Sequence, residues 1–376
     1  MPRKQVRDAI IIGAGPSGLA VGACLKAREL DALILEREAT VGSAWRRHYD
    51  RLALHTERSN SGLPMRGFPK DWPRYVPRAQ VVEYLEDYAA YFDLSPLLGA
   101  EVQKVERVAD GWRVTHAQGQ DEARAVVMAT GFADEPKLAQ WPGLDSFPGP
   151  IVHTRDYRRP DDLPGARVLV IGFGNSGGEI AMELAAQGRA VEMVVRSPVN
   201  LLPRELFGIP IARLSLTQKL FGYRVADALA APLMRWKLGR PERYGLKPAG
   251  KGPLAQIVED NRIPLIDLGT LDLIRAGKIK VRPSAQSSNG DMVTFEDGQT
   301  ARFDAILMGT GYRVNLRPIL GDLPELDAEG RPRAIEGEIV PGLYGISYHA
   351  VPNGQLAAIA RQAPKIAEAI ARGRAG

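Results

Sequence analysis

The sequence predicts an α/β protein built on two dinucleotide-binding (Rossmann-like) units, and three observations carry that expectation. A strand–glycine turn–helix–strand pattern occurs twice, with turns opening at Gly13 and at Gly172. The strand before each turn is a continuous apolar run, as a parallel strand buried on both faces requires. The second strand of the first unit ends in an acid, Glu36, and that of the second unit in a base, Arg196.

The totals agree. A chain of 376 residues is long for one core and suits two domains. Hydrophobic content of 45% and charged content of 25% are those of a globular protein. The net charge of +5 is spread over short runs with no basic stripe interleaved with aromatics. That pattern reads as a solvated surface with anion sites and argues against a nucleic-acid partner. No apolar run is long enough to span a bilayer, and the stretch Met1–Arg7 has no signal-peptide core, so a cytoplasmic location is expected. The single cysteine, Cys24, excludes an internal disulfide framework, a cysteine zinc cluster and a redox-active cysteine pair. It is expected to be a small buried hydrophobe. Metal-ligand spacing, paired carboxylates and a Ser/His/Asp arrangement are all missing from the pattern, as expected where a bound cofactor does the chemistry.

In the first unit, Asp8-Ala9-Ile10-Ile11-Ile12 is the strand and Gly13-Ala14-Gly15-Pro16-Ser17-Gly18 the turn. A helix follows from Leu19 to about Arg28, then the strand Ala32-Leu33-Ile34-Leu35 closed by Glu36. Glycines let the backbone approach a pyrophosphate, and the helix N-terminus attracts its charge. Glu36 is placed to accept from ribose hydroxyls and would repel a 2′-phosphate, which favours FAD or NAD on this side. Proline-broken loops follow, then helical spacing over Val81–Tyr91 and strands at Glu101–Arg107, Gly111–His116 and Ala125–Ala129, the last closed by Thr130-Gly131.

In the second unit, Arg167-Val168-Leu169-Val170-Ile171 repeats the strand, Gly172-Phe173-Gly174-Asn175-Ser176-Gly177 the turn and Glu179–Ala186 the helix. The next strand, Val191–Val195, ends in Arg196, which suits the 2′-phosphate of NADPH. The stretch from Leu206 to about Gly239 is expected to be helical and to pack on the second unit, with a substrate channel or a membrane face as alternatives. A hairpin is expected around Ser288-Asn289-Gly290-Asp291. Asp304–Met308 reads as an apolar strand before the turn Gly309-Thr310-Gly311. The chain ends in Gly342–Ile346 and a helical tail from about Gly354, whose N-terminus could support negative charge on a reduced flavin.

Between the two units lies Phe147-Pro148-Gly149-Pro150-Ile151-Val152-His153-Thr154-Arg155-Asp156-Tyr157, an F-x-G-x-x-x-H-x-x-x-Y pattern. It resembles the identifying motif of the flavin-dependent monooxygenases of the FMO class, in form and in place. Tyr157 stands where Baeyer–Villiger relatives usually carry Trp. Further blocks, among them Tyr49–His55, Leu202-Pro203-Arg204-Glu205, Tyr244-Gly245-Leu246-Lys247-Pro248 and Pro264–Gly269, are similar to the YUCCA branch of that family, and the likeness runs from about residue 8 to 371.

This resemblance implies a FAD domain interrupted by an NADPH domain, with expected bounds of 1–158, 159–285 (helical insert 206–260) and 286–376. It implies FAD and NADPH as cofactors, O2 and a small molecule as substrates, and a C4a-(hydro)peroxyflavin as oxidant. Indole-3-pyruvate, converted to indole-3-acetate, is the leading substrate. Oxygenation of a soft nitrogen or sulfur, an indole ring or a ketone stays open, as does an uncoupled NADPH oxidase. His55 stands where many heteroatom-oxidising members have an active-site Asn. With His153, Tyr157 and Asn175 it forms the expected catalytic set. Expected cofactor contacts are Gly13, Gly15, Pro16, Ser17, Gly18, Glu36, Arg37, Trp45, His55, Thr130, Gly131, Gly172, Gly174, Asn175, Ser176, Gly177, Arg196, Gly311 and Gln355. The Ala/Arg bias fits a bacterial chain. A homodimer and peripheral membrane contact by 206–239 are compatible with the sequence.

Overall fold

The computed structural model describes residues 6–133, 135–214, 218 and 222–375. β1 (Arg7–Ile12) runs into α1 (Pro16–Lys26) and the chain returns as β2 (Ala32–Glu36). Then come α2 (Arg78–Tyr91), β3 (Leu97–Leu98), β4 (Val102–Val108), β5 (Gly111–His116) and β6 (Gly119–Met128). Only the apolar C-terminal half of β6 reads as a strand in sequence. Its polar N-terminal half is held by antiparallel pairing with β5, while residues 125–128 pair in parallel with β1.

A second sheet follows. It uses β7 (Ile151–His153), β8 (Arg167–Ile171), α3 (Asn175–Ala186) and β9 (Ala190–Val194). After these come α4 (Tyr223–Leu238), α5 (Pro253–Asp260), β10 (Ile279–Arg282) and β11 (Ala305–Met308). The chain then rejoins the first sheet with β12 (Gly337–Val340) and β13 (Leu343–Gly345) and ends in α6 (Gln355–Ala375).

The path of the first sheet is β12-β13-β6-β1-β2-β3, and the second sheet is β10-β9-β8-β11-β7. The cores of the two sheets correspond strand for strand. Ile12 at the end of β1 pairs with Leu35 and Met128, and Ile171 at the end of β8 with Val194 and Met308. Both strands are buried on both faces; Ile10, Ile11, Leu169 and Val170 are fully inaccessible. Each such side chain contributes about 1.5–3 kcal/mol by leaving water. One face of the first sheet packs on α1, α2 and α6, the other on the β4–β5 ribbon.

The second sheet reaches past both boundaries expected for its domain, 159 and 285. β7 and β11 pair with each other and β11 with β8, and the hairpin residues Val293 and Phe295 pack in the same core as Leu144 and Phe147. The reason is physical: β8 is apolar on both sides and needs a parallel neighbour on each edge. The expected helical stretch 206–239 also divides. Glu205–Leu206 pairs with Ile209–Pro210 as a small hairpin, residues 215–217 and 219–221 lie outside the described set, and the long helix begins only at Tyr223.

Candidate active site

The two glycine turns sit at the C-terminal ends of β1 and β8, and the first glycine of each has a conformation that side chains avoid. Gly13 has φ +108° and a Cβ there would stand 2.6 Å from the Ala129 carbonyl oxygen; Gly172 has φ +106° and its Cβ would stand 2.4 Å from that of Gly309. The second glycines, Gly15 and Gly174, are the N-caps of α1 and α3, with no side-chain cap and open space where a Cβ would go. The third glycines bring helix onto strand: a Cβ on Gly18 would stand 1.8 Å from Gly13 O and one on Gly177 3.0 Å from Gly172 O. Each turn is therefore an open backbone cradle at an uncapped helix N-terminus, which fits a pyrophosphate. Pro16 at the start of α1 lacks only an amide that a helix leaves unpaired anyway.

At the end of β2, the Glu36 carboxylate already accepts from the amides of Ala14 (2.6 Å) and Glu38 (3.0 Å). It is held rigidly at the strand end with lone pairs to spare for ribose hydroxyls. Arg37 pairs with Glu38 at 3.5 Å. Beyond the end of β9, Arg196 lines a hollow of about 130 Å³ with Lys247 and Ser284. Arg282, in the same wall, is already bonded to Glu192 and Gln299. Lys247, which comes from the distant Tyr244–Pro248 block, has no signal in sequence beyond that block's likeness to relatives.

Between the turns lies a cavity of about 1140 Å³. Pro16, Ser17, Trp45, His55 and Gly131 line it from the first unit, and Gly174, Asn175, Ser176, Gly177 and Gly311 from the second. Gln355 closes one side, its amide donating to Ser347 O (2.9 Å) and His349 O (3.1 Å), so that it ties the last loop to the start of α6. The far wall is α4 and α5, largely apolar, including Leu229, Leu233, Met234, Leu238 and Ile257. The volume exceeds that of an ordinary small-ligand pocket and leaves room for more than one occupant.

The other expected site residues take varied places. Asn175 is occupied by backbone: its Oδ1 accepts from Ile266 N at 2.7 Å and its Nδ2 donates to Pro264 O at 3.4 Å, which fixes the start of α3. Thr130 shares a hydrogen bond with the Tyr348 hydroxyl (2.8 Å) behind the Gly131 turn. His153 is buried just outside the cavity wall. Its Nδ1 accepts from Arg155 N, so Nε2 carries the proton and donates to Gly311 O at 3.2 Å, and burial pushes its pKa down. Its ring meets Tyr312 edge-on, 5.1 Å between centroids. Tyr157 is fully buried, donates to Glu183 at 2.8 Å and so pins the linker to α3, and is not among the residues that line the cavity. His48, in the cavity wall, is pushed down to about 4 by burial and by Arg47, Arg78 and Arg158, and presents a neutral ring. Cys24 lies buried in α1 with its thiol pushed up to about 11 by burial, an inert side chain.

Two nucleotide cradles facing one cavity define a two-nucleotide oxidoreductase, and residues 10–202 match the family described as pyridine nucleotide-disulphide oxidoreductase. With one buried cysteine, what is shared with that family is the nucleotide fold, not the dithiol chemistry. The chain is 38% identical over 326 residues to the indole-3-pyruvate monooxygenase YUCCA1 of Oryza sativa subsp. japonica, covering 85% of this chain and 80% of that one. It is 39% identical over 321 residues to YUCCA6 of Arabidopsis thaliana, covering 83% and 77%. Among solved structures, a flavin-containing monooxygenase from Stenotrophomonas maltophilia has the same fold, with a TM-score of 0.76 at 24% identity over 98% of this chain and 99% of that one. The cyclohexanone monooxygenase from Rhodococcus sp. Phi1 bound to NADP+ gives 0.74 at 21% identity over 99% and 85%. The chain belongs to the flavin monooxygenase family, alongside the YUCCA enzymes. It is an NADPH-dependent monooxygenase that uses FAD. No helix among the described residues is long and apolar enough to cross a membrane.

Proposed function

We propose that this monooxygenase acts on an amphiphilic α-keto acid, with indole-3-pyruvate the leading candidate and indole-3-acetate the product. The observation that carries this reading is the charge pattern of the cavity. Among the described cations lining it, Arg224 is paired with Glu259 and Lys251 with Glu259 and Asp260, whereas Arg235 has no carboxylate partner. The acid in the wall, Asp227, is buried and satisfied by the amides of Leu254 and Ala255. An apolar wall with one unpaired guanidinium suits an aryl group joined to a carboxylate. The names of the relatives, indole-3-pyruvate monooxygenases, support the same substrate class.

In this reading the amides at the N-termini of α1 and α3 hold the two pyrophosphates. Glu36 accepts from the ribose hydroxyls of FAD, and Arg196 and Lys247 hold the 2′-phosphate of NADPH. The chemistry supplied by a bound flavin would be acceptance of a hydride from NADPH and activation of O2. Overall, the α-keto acid, O2, NADPH and a proton give the acid shortened by one carbon, CO2, NADP+ and water. Arg235 orients the substrate carboxylate, and the apolar residues of α4 and α5 keep water from the reacting centre.

The test is NADPH turnover by the FAD-loaded protein in air, with catalase present, with and without indole-3-pyruvate. One indole-3-acetate per NADPH supports the reading; NADPH consumed with no shortened acid formed, whatever keto acid is offered, contradicts it. Arg235→Met should raise KM for indole-3-pyruvate by roughly 10-fold or more and leave that for NADPH unchanged.

A further inference from the structure

One side chain of the cavity wall is left half-satisfied. His55 lies on the loop after Tyr49 in the first domain, and its Nε2 stands 2.6 Å from Glu179 Oε1 on α3 of the second. Glu179 is 3% exposed. A carboxylate can only accept, so Nε2 carries the proton, and in the neutral ring Nδ1 is then a bare lone pair. That Nδ1 is buried and has no hydrogen-bond partner. Buried polar atoms in folded proteins are almost always paired, so an orphan on a cavity wall calls for an explanation in function.

Glu179 is itself set in a buried surround. Tyr49 is buried beside it, and burial pushes the phenol pKa up with help from the Glu179 charge. Arg51 reaches the Glu179 carbonyl at 3.4 Å, and the neutral His48 lies close enough to feel the Glu179 charge. Ser176, His48 and His55 all line the cavity. The pair therefore joins the domain of the first nucleotide turn to the helix that begins at the second, immediately beside the space both turns face.

We propose that Glu179 is a positioning residue that locks His55 as the Nε2–H tautomer, so that Nδ1 is presented as the proton acceptor of the site. This rests on the chain being a flavin monooxygenase and not on which substrate it takes. The partner of Nδ1 is an N–H or O–H donor bound in the cavity, carried either by the reduced flavin or by the oxygenated substrate. The carboxylate acts through the histidine, as outer carboxylates do on metal-ligating histidines.

The experiment uses full-length, FAD-loaded protein labelled with ¹⁵N in its histidine rings, with the His55 resonances assigned by their loss in His55→Asn. The wild type is expected to show Nε2 protonated and Nδ1 bare. Glu179→Ala should give a mixed tautomer and lower kcat by roughly 10- to 100-fold, with little change in KM for NADPH, and Glu179→Asp should recover part of both signals. Because Glu179→Ala removes a buried brace, Glu179→Gln of the same shape serves as the second variant, and the wild-type spectrum is decisive without either. Two arms separate the sources of the donor. If it is the reduced flavin, His55→Asn shifts the FAD midpoint potential with no substrate present. If it is the substrate, the potential stays and only the substrate-dependent rate falls. A wild-type His55 protonated on Nδ1 would overturn the proposal, as would Glu179→Ala with unchanged tautomer and unchanged kcat.

Discussion

Gly13–Gly18 and Gly172–Gly177 make the same turn at the edge of the same cavity, with first-glycine φ values of +108° and +106°. They differ in the side chains that the following strand delivers. β2 ends in Glu36, clamped on two backbone amides, and β9 leads to Arg196 beside Lys247 and a small hollow. In the proposed reading the shared backbone answers the feature common to both nucleotides, the pyrophosphate, while the strand-end charge answers the feature that distinguishes them. They differ in tightness as well. The first turn leaves no room behind its third glycine, and the second leaves a little.

That last contrast gives the largest expected effect. Gly18→Ala should destabilise the protein by roughly 3 kcal/mol, because its Cβ would stand 1.8 Å from a backbone oxygen that cannot yield. Gly177→Ala, at 3.0 Å, should cost about 1 kcal/mol. Denaturant unfolding at one fixed excess of FAD compares them; equal losses would break the asymmetry. Next comes the strand-end charge. Arg196→Ala should raise KM for NADPH roughly 10- to 150-fold and leave NADH almost untouched, as steady-state kinetics with both nucleotides would show.

The linker sharpens the comparison at smaller scale, since the His and Tyr of its motif take different roles. His153→Ala strips the donor from the Gly311 carbonyl, which costs about 1–3 kcal/mol. It also loosens a turn that lines the cavity, so the peroxide share of NADPH consumption should rise. Tyr157→Phe loses only the bond to Glu183 and should cost about 1 kcal/mol in thermal unfolding, with coupling unchanged. Raised peroxide in Tyr157→Phe would return that residue to the active site.

The features legible in sequence were those with a short-range cause. Each glycine turn lies within one strand–helix junction, and its constraint is written in adjacent residues. The strand-end charges Glu36 and Arg196 follow from counting along the same units. The domain bounds were less legible, because β7 and β11 are short strands supplied from outside the repeat and their pairing with β8 leaves no periodicity. Lys247, Arg235 and Glu179 could not be placed from sequence at all. Arg235 stands out only once Arg224 and Lys251 are seen to be paired across α5, and Glu179 meets His55 across 124 positions of chain. Tyr157 reads as catalytic by its motif, yet its burial against α3 is a property of packing that no spacing reports.

The central claim is that the two units hold different nucleotides, FAD in the first and NADPH in the second, facing one cavity. Anaerobic stopped-flow reduction of the FAD-loaded protein tests it most directly, by titrating NADPH and NADH separately against the flavin absorbance. The account predicts one FAD per chain, reduced by NADPH at concentrations at least 10-fold below those NADH needs. Two FAD molecules per chain, or reduction by both nucleotides at equal concentration, would contradict it.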